Sequence, residues 1–276
     1  MKSFKQQCVE LRLKDKTLNE IVQLTGRSKS TVYSHIKNIL LSEQKQWEIK
    51  NKTREQALLN AAARKGVGLR PYKEFTGWTP ETVLLISHLM FDGEIMKGRC
   101  VYNNRSQALL KRVECLMKIV YSFPPKRHLD MVSGVHKLQY NNVALASFLN
   151  KKACELQVYI IHKPIVLQKE FLRAFFDDEG CMDFRSVRNV RQIRGYQNNQ
   201  YVLHLVRNLL ANLNIVANLK GKNEVVISRK ENLKKFQKEI NFSSGVCLNP
   251  NRTNSIWKQS IEKRVLLDRA IKSFKT

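Results

Sequence analysis

The sequence predicts an α+β fold: tandem, pseudo-two-fold αββαββα repeats preceded by a small all-α helix-turn-helix domain. Three observations predict it. Two apolar helical segments end on an acid followed at once by glycine, Asp92-Gly93 and Glu179-Gly180. The same order of short strands and helices follows each of them. Ahead of both, residues 3 to 40 carry three short helical patterns around a glycine turn at Gly26.

The first pattern spans Phe4 to Leu13. The second places Leu18, Ile21 and Val22 at helical spacing, with Thr17 as N-cap and Glu20 as its capping-box partner. Gly26 ends it, Ser28 caps a third helix, and Val32 and Ile36 point inward. Apolar inward positions around a glycine turn are what a helix-turn-helix needs, and residues 1–42 resemble that motif. Its second helix would offer Lys29, Ser30, Tyr33, Ser34 and Lys37 to a major groove.

Residues 43–78 read as a basic linker, partly helical, with a breaker cluster from Lys65 to Pro71. At Thr79-Pro80-Glu81 a new domain opens with a cap, a proline at the first helical position and an acid at the positive end of the dipole. This domain covers 79–276, with repeats at about 79–168 and 169–245 and a basic C-terminal helix from Ser255 to Phe274. Within the repeats, Val101-Tyr102-Asn103-Asn104 echoes Gly195-Tyr196-Gln197-Asn198.

The net charge of +26, from 49 Lys and Arg against 23 Asp and Glu, makes an extended polyanion the expected partner. Double-stranded DNA leads. No segment has the length and apolarity of a membrane span. The N-terminus has no secretory h-region. Six cysteines without CxxC spacing read as free thiols in a reducing intracellular compartment, cytoplasm or organelle matrix, and not as a zinc site.

The glycine after each acid suits a left-handed C′ position. The acid itself meets the negative end of the helix macrodipole, at a cost of a few tenths to ~1 kcal/mol unless a cation sits there. Two such acids in register within a repeat point to bound metal. Hydrolysis of a phosphodiester needs an activated water and a cation on the leaving oxygen, which hard divalent ions on carboxylates supply. His88, inside the first motif helix, reads as a packed core residue and not a ligand.

The two motifs and the repeat resemble the LAGLIDADG family of homing endonucleases in its single-chain, two-repeat form, over roughly residues 79 to 245. Phe171 to Gly180 is the closer match; in the first motif Met90 and Phe91 stand where the family has an acid and a small residue. The resemblance implies that the motif helices pack side by side, that the strands form two saddles over DNA, and that Asp92 and Glu179 bind Mg2+ or Mn2+. It implies that Asp177 matches an inner family position, and that a basic residue and polar groups order water. Asn103 and Gln197 at the ends of the second strands, and Lys137, are the candidates. The reading hairpins would use Arg185, Arg188, Arg191, Gln192, Arg194 and Asn198 in the second repeat, and Lys97, Arg99, Tyr102 and Arg105 in the first. The expected function is a monomeric, site-specific, metal-dependent double-strand DNA endonuclease. The rivals are a DNA-binding regulator that kept the fold without cleavage and an intron RNA maturase.

Overall fold

The structure, a computed structural model, describes residues 2–68, 70–250 and 256–274. The chain divides into two compact units, Met1–Leu69 and Arg70–Thr276.

The first unit opens with helices α1 (Phe4–Leu13), α2 (Leu18–Thr25) and α3 (Lys29–Ile36). Each starts on a hydroxyl cap. Ser3 and Gln6 form a capping box, as do Thr17 and Glu20, and Ser28 accepts from the Thr31 N–H. Gly26 ends α2 in the left-handed region at φ +66°. Cys8, Ile21, Val32 and Ile36 make the core, closed by Phe4, Leu11, Leu18 and Val22. Lys29, Ser30, Tyr33, Ser34 and Lys37 are left exposed on α3 or at its end. A long helix, α4 (Glu43–Gly68), follows.

The second unit begins before Thr79. Residues 70–78, read from sequence as the end of the linker, form no helix or strand and are anchored by aromatic side chains. Tyr72 and Phe75 pack on Phe148 at 5.8 and 5.2 Å. Trp78 donates its Nε1–H to Glu155 at 2.9 Å, and Lys152 lies over both Phe75 and Trp78. All three partner residues belong to one helix, so the stretch has apolar surface to cover and is not free chain.

The first repeat is α5 (Pro80–Phe91), β1 (Gly93–Met96), β2 (Arg99–Asn104), α6 (Gln107–Met117), β3 (Lys126–Asp130), β4 (Val135–Asn141) and α7 (Val143–Tyr159). The second is α8 (Ile165–Asp178), β5 (Gly180–Arg185), β6 (Val190–Tyr196), α9 (Gln200–Asn212), β7 (Ala217–Lys220), β8 (Glu224–Ile227) and α10 (Lys230–Glu239). It starts at Pro164, ahead of the 169 expected, because the proline sits at the N-cap of α8. Each repeat folds into one antiparallel sheet, ordered β1-β2-β4-β3 and β5-β6-β8-β7. One hydrophobic core runs through both.

The C-terminal helix is shorter than the sequence suggests. Ser255 lies outside the described residues, and 256–262 is irregular, pairing Glu262 with Cys247 across an isolated bridge. Helix α11 covers only Lys263–Lys272.

The motif glycines do not work as left-handed caps. Neither Gly93 nor Gly180 has positive φ. Each instead turns the chain straight from helix into strand, against the helix's own last turn. A Cβ on Gly93 would collide with the Leu89 carbonyl and stand 2.5 Å from its Cα; on Gly180 it would meet the Phe176 carbonyl and stand 2.8 Å from Phe176 Cα. Gly93→Ala and Gly180→Ala should each lose about 1–3 kcal/mol, the usual cost of overpacking. Gly77→Ala, with open space around it, should stay within about 0.5 kcal/mol of the parent. Urea titration of the three variants checks this.

Candidate active site

Helices α5 and α8 pack side by side. Phe91 meets Phe171 and Phe175 edge-on at 5.3 and 5.2 Å, and the small residues Ser87 and Ala174 are buried in the two helices. Asp92 and Glu179 are the C-cap residues of α5 and α8, both half-buried. Their backbones are held alike: the Asp92 carbonyl accepts from Asn103 N–H at 3.0 Å, and the Glu179 carbonyl from Tyr196 N–H at 3.1 Å.

This pairing corrects the alignment of the repeats by one residue. Gly93 faces Tyr102 across the ladder, and Gly180 faces Gly195. Asn103 therefore corresponds to Tyr196, and Asn104 to Gln197. The side chains agree: Asn104 Oδ1 accepts from Ser106 N–H at 2.8 Å, and Gln197 Oε1 from Asn199 N–H at 3.2 Å. Asn103, paired with Gln197 on sequence, lies on the outward face of its sheet opposite Lys137. The same logic gives Lys137 a counterpart, Glu224, which is opposite Tyr196.

The Asp92 carboxylate accepts from Asn104 Nδ2 at 2.6 Å. The same nitrogen is 3.2 Å from the Tyr102 hydroxyl, which donates to Asp178 Oδ1 at 2.7 Å. Asp178 Oδ2 lies 2.8 Å from His88 Nδ1. His88 is buried in the core, as expected, and its polar contact here is with the acid just before Glu179. Burial, reinforced by the Asp178 charge, raises the Tyr102 pKa well above its ordinary value, so the hydroxyl keeps its proton and donates. Tyr102 is thus fully buried and no DNA contact, contrary to its sequence assignment. Strand alternation puts it on the core face beside Cys100.

Asp177 is also buried. It accepts from Arg112 at 2.8 Å and from Ser243 N–H at 2.9 Å. Below it, Lys263 of α11 is 6% exposed and donates to the carbonyls of Asp177 at 2.6 Å and Phe176 at 3.3 Å. This ammonium is the cation at the C-terminal end of α8, where the macrodipole is negative. Burial lowers its pKa, while the nearby Asp177, Cys181 and Asp178 oppose the shift. Nothing local in the sequence marks Lys263, which lies far along the chain in a basic segment.

The outward faces divide the expected DNA contacts. In the second sheet Gln192, Arg185 and Arg194 face outward, and Arg188 and Asn198 are exposed beyond the strand ends. Arg194 is engaged through all three nitrogens, by Glu224 and by Asp183 at 3.2 Å. Those bonds raise its pKa further. Arg185 grips Asp183 at 2.8 Å. Arg191 turns the other way, and its assignment to DNA is corrected: it donates to Ser273 Oγ at 2.7 Å and its carbonyl at 3.0 Å, and stacks over Phe274. The alternation with Ile193 and Gly195 carried that signal. In the first repeat Lys97, Arg99, Arg105 and Lys137 are exposed. Lys126 and His128, missed in the sequence, join Lys137 and Gln139 on the same face through the β3–β4 register.

Among the described residues, no three His, Cys, Asp or Glu converge on one point as a metal site. The ends of α5 and α8 each offer one half-buried carboxylate, Asp92 and Glu179, oxygen only, so phosphate and water would complete a cation's shell. That donor set suits Mg2+ or Mn2+ and not zinc. Among the described residues no helix is long and apolar enough to cross a membrane.

Lys263→Met should destabilise the chain by about 1.5–3 kcal/mol, the range for a hydrogen bond from a charged group. Thermal unfolding followed by circular dichroism checks it.

Residues 167–241 match the LAGLIDADG-like domain family. No curated protein matches the chain. Similar solved structures include the homing endonuclease I-DmoI in complex with DNA and Mn, at 18% identity over 58% of this chain and 96% of that one, with a TM-score of 0.44. They also include full-length DUF199/WhiA from Thermatoga maritima, at 17% identity over 74% of this chain and 64% of that one, with a TM-score of 0.48. The chain therefore carries a LAGLIDADG-like domain at residues 167–241, preceded by a second copy of the same αββαββα arrangement at residues 80–159.

Proposed function

We propose that this chain is a site-specific, divalent-metal-dependent endonuclease of the homing type that hydrolyses both strands of double-stranded DNA. One observation carries the reading: two carboxylates, Asp92 and Glu179, cap equivalent ends of two helices packed side by side. Each carboxylate adds negative charge at the negative end of its helix dipole, where a bound cation would be favoured.

Asp92 and Glu179 are the residues that would hold Mg2+ or Mn2+. When bound, such an ion supplies positive charge on the scissile phosphate and makes nearby water more acidic. Asn104 fixes the Asp92 carboxylate, and Gln197 occupies the same place beside Glu179. Lys137, exposed on the outward face opposite Asn103, would meet phosphate. Lys97, Arg99, Arg105, Lys126 and Arg188 offer positive charge to the backbone, and Gln192 and Asn198 offer base-reading amides. Lys29, Ser30, Tyr33 and Lys37 of the helix-turn-helix lengthen the footprint.

A DNA-binding regulator on the same fold is the second reading. Its support is the same basic outward surface, which would bind DNA with or without cleavage. One experiment separates the two. The parent, Asp92→Asn and Glu179→Gln are incubated in Mg2+ with supercoiled plasmid carrying the DNA that flanks this gene, joined without it. Binding is titrated beside this in Ca2+. Each substitution should abolish or cripple linearisation and leave binding intact or tighter, since an uncompensated carboxylate repels phosphate. Variants that cut like the parent remove the carboxylates from the mechanism. A parent that binds its site but cuts in no divalent metal is a regulator.

Binding should also weaken steeply with salt. For ~6–10 phosphate contacts the log–log slope should be about −5 to −9. Fluorescence anisotropy between 50 and 200 mM salt, the range over which such contacts lose most of their affinity, measures it, and a slope near zero rules out the nucleic-acid partner.

A further inference from the structure

The two halves of the candidate site are built differently. In the first, a chain of hydrogen bonds links Asp92 to the opposite repeat, with Asn104 donating to Asp92 on one side and to Tyr102 on the other, and Tyr102 donating to Asp178. Asn104 cannot flip, because its Oδ1 is held by the Ser106 N–H. Its Nδ2 must therefore point at Asp92 and Tyr102. The Tyr102 proton goes to Asp178, since a carboxylate only accepts. Asp178 belongs to α8, in the second repeat, and its side chain is wholly enclosed.

The second half puts other side chains at the corresponding positions. The residue corresponding to Tyr102 is Gly195, and the residue corresponding to His88, four before the acid, is Phe175. The Phe175 ring fills the space a side chain at 195 would need, 2.5 Å from a Cβ built there. The residue corresponding to Asp178 is Phe91, which meets Phe175 edge-on at 5.2 Å. At related points of the helix interface, one contact is His88 with Asp178 and the other is Phe91 with Phe175. The difference is not a repacking detail. One contact aligns an acid, and the other is purely apolar.

Resting on the endonuclease reading, we infer that Tyr102, Asn104 and Asp178 are positioning residues for Asp92 alone, so that the second repeat governs the cutting of one DNA strand and not the other. Asp178 thereby acts across the repeat boundary. It fixes the Tyr102 hydroxyl, which with the Ser106 N–H aligns the Asn104 amide that donates to the Asp92 carboxylate.

Tyr102→Phe removes the one hydroxyl and keeps the ring against His88. Strand-resolved cleavage of end-labelled duplex and of supercoiled plasmid should show one strand cut about tenfold to hundredfold more slowly, the loss of a hydrogen bond to a charged group expressed as a rate. Nicked plasmid should accumulate, with the nick always in the same strand. A merely structural role would slow both strands alike. Equal slowing, nicks in either strand, or unchanged cutting overturns the inference. Should Tyr102→Phe fail to fold, Asn104→Ala carries the same expectation and the same overturning results.

A second readout does not depend on cutting. Mn2+ is titrated into the full chain with the duplex, and the free-ion electron paramagnetic resonance signal is followed. The variant should weaken one Mn2+ site by about tenfold or more and leave the other unchanged. Two unchanged sites, or two weakened together, overturn the inference. A parent that cuts while the variant behaves like it defeats this inference and leaves the endonuclease reading standing. A parent that neither cuts nor binds Mn2+ defeats both.

Discussion

The side-by-side packing of α5 and α8 is the constraint on which the rest of the structure depends. It brings two helix C-termini, each carrying a carboxylate, into one neighbourhood. Negative dipole ends and negative side chains then accumulate where burial makes charge expensive. The fold answers with fixed donors. Lys263 fills the end of α8, Arg112 and the Ser243 N–H satisfy Asp177, Tyr102 and His88 face Asp178, and Asn104 holds Asp92. The glycines after the acids belong to the same solution, because only a residue without Cβ lets the strand leave so close to the helix.

That packing also explains the division of the surface. Side chains on the core faces of the two sheets are committed to covering α5 and α8, and strand alternation leaves only every second residue for the outside. Tyr102 and Arg191 are polar or charged, yet both fall on the inner parity and serve the interior. On the outer face of the second sheet, Asp183 and Glu224 immobilise Arg185 and Arg194. The first sheet instead keeps Arg99, Lys126 and Lys137 exposed. The two saddles thus differ in free charge as well as in the chemistry beneath them.

Much of this was legible from local pattern. The capping boxes, Gly26, the repeat order and most strand positions follow from spacing and hydrogen-bonding chemistry over a few residues. What escaped depended on contacts that spacing does not encode. The echo between Tyr102-Asn103-Asn104 and Tyr196-Gln197-Asn198 invited a one-residue slip, and a slip of one in a strand exchanges its faces. The aromatic residues Tyr72, Phe75 and Trp78 were visible, but the helix they cover lies some seventy residues away in sequence. Lys263 looked like one lysine among many, and only its burial against two carbonyls distinguishes it.

The position of Lys263 also bears on the order in which the protein comes into being. Its partner Phe176 precedes it by 87 residues, and Arg191 waits 82 residues for Ser273. A chain emerging from the ribosome has both repeats translated before the residue that closes the end of α8 has appeared. The helix terminus bearing Glu179 therefore waits for its buried lysine until both repeats have been made. A nascent chain halted there would have its basic surface and both acids, yet lack the buried cation that completes the second half of the site.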